Sequence, residues 1–371
     1  MTQEIKIEKE DIVVGEPLPW DVYDSMGLLL AKKGTVIATT VRQQALLARG
    51  FRHEIEEEPE VEETPKETTK LVFIRVNDLC EALFQLYEYI EKQDQCVGDK
   101  TRELAAQVQT LCEEHSDGVL AAVHLYHEGA YSVLHSIHVA FLCYFVSKKA
   151  GLNEQDGISL ICAALTCNVS MRELQDYLQN YSEPLTNELR GQVQSHPQRS
   201  VSMLEQCGIN DETWLTAIGH HHERLDGSGY PEGLDVKAVS KEANLIALAD
   251  CYTAMLSSRS YRSGIPTKDA LRKVFVSRGV AFDEKLCLLL IKELGVYPPG
   301  SFVRLQNGEV GVVVKRNADS TKPVVAAFAS PRGGAYDRAI MRDSSAGGDL
   351  VIKETVLLEK KPPKEIASLW Q

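Results

Sequence analysis

What this chain has little of bounds it first. No apolar run approaches the roughly 20 residues that a membrane-spanning helix requires; the longest, such as Val139 to Val146 and Leu245 to Ala249, fall far short. Positive charge is scarce: 40 Lys and Arg against 53 Asp and Glu leave a net charge of −13. Non-specific binding to nucleic acid or to an anionic membrane surface needs clustered positive charge, so neither is expected. An anionic ligand would need a local basic patch. The nine cysteines are scattered and form no Cys-x-x-Cys pair. That excludes a recognisable disulfide framework and favours reduced, buried thiols. The opening Met1-Thr2-Gln3-Glu4-Ile5-Lys6 has no apolar core of signal-peptide length. A cytoplasmic protein is the expectation.

What is present is an ordinary globular composition, 44% hydrophobic and 25% charged, over 371 residues. Residues 1–53 read as a small β-rich module. Asp11 to Val14 and Gly27 to Leu30 are its expected strands, and Val41 to Arg49 a helix closed by Gly50. Residues 54–70 carry seven glutamates between positions 54 and 63, with Pro59 and Pro65, and read as an acidic, solvated linker. Residues 71–295 read as helices: Asn77 to Lys92, Lys100 to His115, the nearly apolar Tyr131 to Ala150, Asp156 to Cys167, one capped by Thr186, then Lys241 to Ser257 and Lys268 to Ser277. Residues 296–371 turn β-rich, with Ser301 to Leu305, Val310 to Lys315 and Pro323 to Phe328 as strands and Asn307-Gly308 as a hairpin turn. The fold class is therefore mainly α, a helical bundle with small β-rich modules on either side.

One stretch carries most of the chemistry: His221-His222-Glu223-Arg224-Leu225-Asp226-Gly227-Ser228-Gly229-Tyr230-Pro231. Adjacent imidazoles suit a divalent transition metal, and carboxylates can complete such a shell. His135 in the long helix, His196 before Pro197 at an expected helix start, and Asp250 in an apolar run are the residues expected to join His221 and His222 in one pocket. A lone carboxylate in such a run is costly unless a metal or cation offsets it. His124, His127, His138 and His220 read as hydrogen-bonded core residues.

Taken together these segments resemble the HD-GYP family, a subset of the HD metal-dependent phosphohydrolases that act on cyclic di-GMP. The resemblance covers roughly residues 120–295 and rests on several motifs: His135-Ser136 with Val139-Ala140, Pro184-Leu185-Thr186 with His196-Pro197, His221 through Pro231 with Gly233-Leu234, and Ala249-Asp250 through Ser258-Arg259-Ser260-Tyr261-Arg262. It implies an HD-type helical bundle and His135, His196, His221, His222 and Asp250 as metal ligands. It also implies contacts from Arg259 and Arg262 to the dinucleotide, for which guanidinium is well suited. In the signature loop, Glu223, Asp226, Gly227, Gly229, Tyr230 and Pro231 would shape the backbone. The implied cofactor is a divalent transition metal, iron or manganese foremost.

The same resemblance marks departures. Where the family has its His-Asp pair this chain has Cys167-Asn168, and Ser170 and Met171 replace the glycine and lysine that follow. Tyr131 stands where some members carry a glutamate, Thr253 where an aspartate is usual, and Asn244 where an arginine is usual. A neutral amide cannot bridge two cations, and two cations roughly 4 Å apart repel strongly without bridging anions. One ion rather than two, or none, is then expected. Three readings follow, in this order: a degenerate family member that binds cyclic di-GMP or a partner such as a diguanylate cyclase, an active phosphodiesterase yielding pGpG or GMP, and a purely structural interaction module.

Overall fold

The computed structural model describes residues 3–25, 28–54, 72–127, 129–257, 264–358 and 364–370. The acidic stretch from 55 on, Arg259 and Arg262 lie outside them.

The first part is a four-stranded antiparallel sheet in the order β1 (Gln3–Lys6), β4 (Phe51–Glu54), β2 (Val22–Tyr23), β3 (Leu29–Ala31), with α1 (Thr40–Arg49) between β3 and β4. The strand expected at Asp11 to Val14 does not form. Lys9–Asp11 make a turn of 3₁₀ helix in which Asp11 accepts from the Glu8 backbone N–H, and Ile12 drops into the core. Ile7, Ile12, Leu18, Val22, Leu30, Ile37 and Leu46 close that small core. Arg42 and Arg49 of α1 reach Glu81 and Asn77, and so join this part to the helices beyond.

Those helices are α2 (Val72–Glu91), α3 (Val97–Glu114), α4 (Ser116–Leu125), α5 (Tyr131–Ala150), α6 (Glu154–Thr166), α7 (Arg172–Gln179), α8 (Asn187–Gln206), α9 (Glu212–Gly219), α10 (Lys241–Leu256), α11 (Thr267–Ser277) and α12 (Glu284–Leu294). α5 is the hub. All its residues from Tyr131 to Ser147 are buried, because α6, α10 and α12 pack around it and leave it no solvated face. It stops at Gly151, which takes a left-handed φ of 73°. Thr186, Asp211, Ser240 and Asp283 cap α8, α9, α10 and α12 by accepting from backbone N–H groups.

α8 differs from the expected helix start at His196. Both His196 and Pro197 lie well inside it. A proline there leaves the carbonyl four residues back without its helical donor. That carbonyl belongs to Val193, and the His196 ring takes the donor's place, Nδ1 to oxygen 2.5 Å.

The last part is a five-stranded antiparallel sheet in the order β8 (Ala335–Asp343), β7 (Val324–Ala329), β6 (Val310–Lys315), β5 (Phe302–Leu305), β9 (Ile352–Thr355). Its two faces serve different cores, as the two-residue period of a strand requires. Val303, Leu305, Val313 and Val325 pack together, while Val312, Val314 and Ala326 face the helices. Arg316 pairs with Asp117 of α4 and Glu293 of α12 at 2.6 and 2.7 Å. Trp370 stacks on Phe73 at 5.8 Å and donates its indole N–H to Val314. Among the described residues, no helix is long and apolar enough to cross a membrane.

Candidate metal centre

α8, the end of α9 and the loop after it bring His196, His221 and His222 together, with one ring nitrogen from each lying within 4.8 Å of the others. Local structure sets which nitrogen faces inward. His196 Nδ1 lies against the Val193 carbonyl and His221 Nδ1 against the Ile218 carbonyl, at 2.5 and 2.7 Å. A carbonyl only accepts, so both Nδ1 atoms carry the hydrogen. Ile218 sits in the last turn of α9, where carbonyls have no helical donor. Each neutral ring therefore turns an Nε2 lone pair toward the other, and these two atoms are 3.1 Å apart. His222 adds a third, a buried Nε2 without a hydrogen-bond partner, on a ring stacked against Tyr230 at 4.7 Å.

A proton could bridge such a cluster, but the surroundings oppose it. Burial, then the neighbouring His221, hold His196 down to about 3. Burial likewise lowers His221, and burial and His221 lower His222 well below the ordinary imidazole value. Three neutral, converging imidazoles, two of them with Nδ1–H anchored to backbone carbonyls, are a donor set for a divalent transition metal. The residues present fit one such ion.

His135 and Asp250 lie beside this group but engage each other, Nε2 to Oδ1 at 2.7 Å. Burial works against ionisation of Asp250. The hydrogen bond from His135 and the nearby imidazoles outweigh it, and the carboxyl stays well below the usual range. Sequence reasoning did not pair these two side chains, nor see that Tyr131 Oη and Thr253 Oγ1 would each come within 3.3 Å of His135 Nδ1. Tyr131 stands one helical turn before His135, and that spacing was the available signal.

Cys167 is fully buried. Burial, with Asp250 nearby, pushes its thiol far above the normal range, and its Sγ lies 3.5 Å from the Ala164 carbonyl. Asn168 is buried with neither amide atom partnered. It precedes a 3₁₀ turn, Val169–Met171, whose Ser170 hydroxyl donates to the His196 carbonyl. Met171 ends that turn.

The signature loop is held by Glu223. Its fully buried carboxylate accepts backbone N–H groups of Glu232, Gly233 and Leu234 at 2.7, 3.1 and 2.9 Å. Asp226 accepts from the Ser228 N–H and hydroxyl, and Gly227 turns with φ 75°. Gly229 lies so close to the preceding backbone that a Cβ would overlap Arg224 N, Glu223 Cα and His222 O. The Tyr230-Pro231 bond is cis. Asn244 accepts from the Asp283 N–H and so ties α10 to the start of α12.

The other histidines divide. His124 bonds Leu120 and Tyr252, as a core histidine should. His220 is half-buried and 3.7 Å from Glu232. His127 is exposed rather than buried, because it lies beyond the last turn of α4, and His138 is buried with an unpartnered Nε2.

The chain is similar to several known proteins. The cyclic di-GMP phosphodiesterase PA4108 of Pseudomonas aeruginosa is 30% identical over 231 residues, 62% of this chain and 56% of that protein. The cyclic di-GMP phosphodiesterase response regulator RpfG of Xanthomonas campestris pv. campestris is 29% identical over 219 residues, 57% of each. The chain thus spans little more than half the length of these relatives. Among solved structures, the HDGYP protein Bd1817 of Bdellovibrio bacteriovorus shares the fold, with a TM-score of 0.56 at 12% identity over 79% of this chain and 99% of that one. The model of the HD domain matches residues 86–286, more than half of the sequence. The chain belongs to the HD domain family, and carries the HD-GYP signature at His221 through Pro231.

Proposed function

We propose that this protein binds cyclic di-GMP, acts as a receptor or scaffold toward a signalling partner such as a diguanylate cyclase, and hydrolyses the dinucleotide weakly or not at all. The observation that carries this reading is the split in the centre: three imidazoles converge, while Cys167-Asn168 offers neither a bridging carboxylate nor a ready thiolate. The relatives named above support the ligand. The retained imidazoles support a divalent metal, iron or manganese foremost, held by His196, His221 and His222.

When bound, that ion would supply Lewis acidity toward a phosphate oxygen or a water. The chain's own residues orient the centre. Val193 and Ile218 fix the tautomers of His196 and His221, Glu223 holds the loop that follows His222, and Tyr230 covers the His222 ring. With Met171 in place of a lysine, no side-chain cation from that position reaches developing charge on the phosphate. Arg259 and Arg262 are proposed from the sequence to contact the dinucleotide.

The test is a paired assay on the full chain: metal content, then cyclic di-GMP binding and turnover with added Mn²⁺ or Fe²⁺. Binding without turnover is expected, weakened in Arg259→Ala at unchanged metal content. Turnover abolished by His221→Ala would instead establish a working phosphodiesterase. Absence of both metal and dinucleotide would leave an interaction module.

A further inference from the structure

His135 is held in the opposite tautomer from the imidazoles beside it. Its Nε2 lies 2.7 Å from Asp250 Oδ1, which as a carboxylate oxygen only accepts, so Nε2 carries the hydrogen. In the neutral ring Nδ1 is then the lone pair; the Tyr131 hydroxyl stands 3.3 Å from it, and the Thr253 hydroxyl, also at 3.3 Å, shares its one hydrogen with the Ala249 and Asp250 carbonyls at 3.0 Å. His135, Tyr131 and Thr253 are all buried. Both ring nitrogens are thus satisfied inside the protein. His196, His221 and His222 are the reverse: their free lone pairs meet one another or nothing.

Recruiting His135 Nε2 to a metal would require breaking the bond to Asp250 and moving the proton to Nδ1, where it would meet hydroxyl oxygens at 3.3 Å rather than a close carbonyl like those that hold His196 and His221. Both hydroxyls come from positions at which this chain departs from its family's pattern. Asn168 completes the change, because an amide brings no negative charge with which to hold a second cation near the first.

We infer that the centre takes a single ion: His196, His221 and His222 bind one divalent transition metal, and the His135–Asp250 pair, closed by Tyr131 and Thr253, is an internal hydrogen-bonded substitute for the second. The inference rests on the reading of the three imidazoles as ligands.

Titration of the metal-free full chain with Co²⁺, followed by visible d–d absorption and by calorimetry, tests it. One equivalent is expected to bind. His221→Ala should weaken it by about 100-fold or more, and His135→Ala should leave the endpoint at one and the affinity within about threefold, since only a ligand or its support carries tens-fold effects. Because His135→Ala removes a buried ring, long-range ¹H–¹⁵N spectra of the histidine-labelled wild type with Zn²⁺ give a second measure. The rings of His196, His221 and His222 should shift, while the Nε2–H ring of His135, told apart from that of His127 by its loss in His135→Ala, stays in place. A second tight equivalent, or a shifted His135 ring, overturns the inference and leaves the three-imidazole site intact. No binding, or binding indifferent to His221→Ala, overturns the three-imidazole reading and the inference with it. Restoring carboxylates in a Tyr131→Glu, Asn168→Asp, Thr253→Asp variant is expected to raise the endpoint to two.

Discussion

Protonation decides what the imidazoles of this protein can do. Unfolded histidines titrate near 6.5; folded His196 is held to about 3 and His124 to about 4, burial being the main cause for each. The folded values are the lower ones, so the unfolded chain takes up more protons as pH falls below 6.5. Stability is therefore lost progressively from pH 6.5 down to the folded values, and these rings add no pH dependence above 6.5. For the fully buried His196 the slope is about 1.4 kcal/mol per pH unit. The thermal midpoint of metal-free protein should fall between pH 6.5 and 4.5, and His124→Gln, outside the metal centre, should flatten the curve. A midpoint indifferent to pH over that range would contradict the burial argument. Glu223 gives a second expectation. Replacing it with alanine removes the acceptor of three backbone N–H groups on an outward loop, where water meets part of the loss, so the cost should fall near or below the roughly 1–3 kcal/mol of one buried unsatisfied donor; it should lower both the midpoint and the Co²⁺ affinity through His222. Much of this was legible in the sequence because the residues are contiguous: two histidines, a carboxylate and a glycine-punctuated turn lie within a dozen positions. The Thr253 hydroxyl was not legible as a partner of His135, since it comes from another helix and meets the ring only across the packed bundle.

At the scale of elements, α8 shows a defect put to use. Pro197 removes one helical donor, and His196 supplies a ring N–H to the stranded carbonyl. Pro197→Ala should restore a competing backbone N–H, leave His196 free to rotate, and weaken Co²⁺ binding by about 10- to 100-fold, the usual effect of losing an orienting partner. The helix itself should become no less stable, which circular dichroism would show. A proline is ordinarily read as a boundary, so the sequence pointed to a helix start at this place. Long elements were readable: α5 and β6 fall at the residues expected, because sustained apolar runs and alternation are strong signals. The short α7 and the mostly exposed β8 were not. β8 pairs with β7 chiefly through its backbone, and its outward side chains carry no hydrophobic pattern. Asp11 to Val14 misled for the opposite reason, since a local carboxylate–backbone bond closes a 3₁₀ turn at Lys9–Asp11 and the apolar residues after it pair with no strand.

For the whole molecule, the proposed division at 1–53, 54–70, 71–295 and 296–371 separates parts of unequal independence. The first sheet closes its own core and meets the bundle through Arg42 and Arg49. The last sheet shares a core with the helices and is clamped by Arg316 between Asp117 and Glu293. Arg316→Met leaves two carboxylates facing each other. It should cost roughly 2 kcal/mol, below the range for fully buried pairs because the guanidinium is part-exposed. Differential scanning calorimetry should then resolve an early transition of the sheet, and a single unchanged peak would show that apolar packing alone holds it.

Trp370 bears on how such a molecule is made. Its indole lies on Phe73, and its carbonyl receives the N–H of Val72 at the start of α2. During synthesis the first helix of the bundle emerges long before the residue that covers it. A nascent chain can pack Phe73 on Tyr126 early, but must hold the face that Trp370 covers open while everything between is translated, with the long-range closure that slows folding and invites association. Shortening the chain just ahead of Trp370 would then be felt first as aggregation during expression.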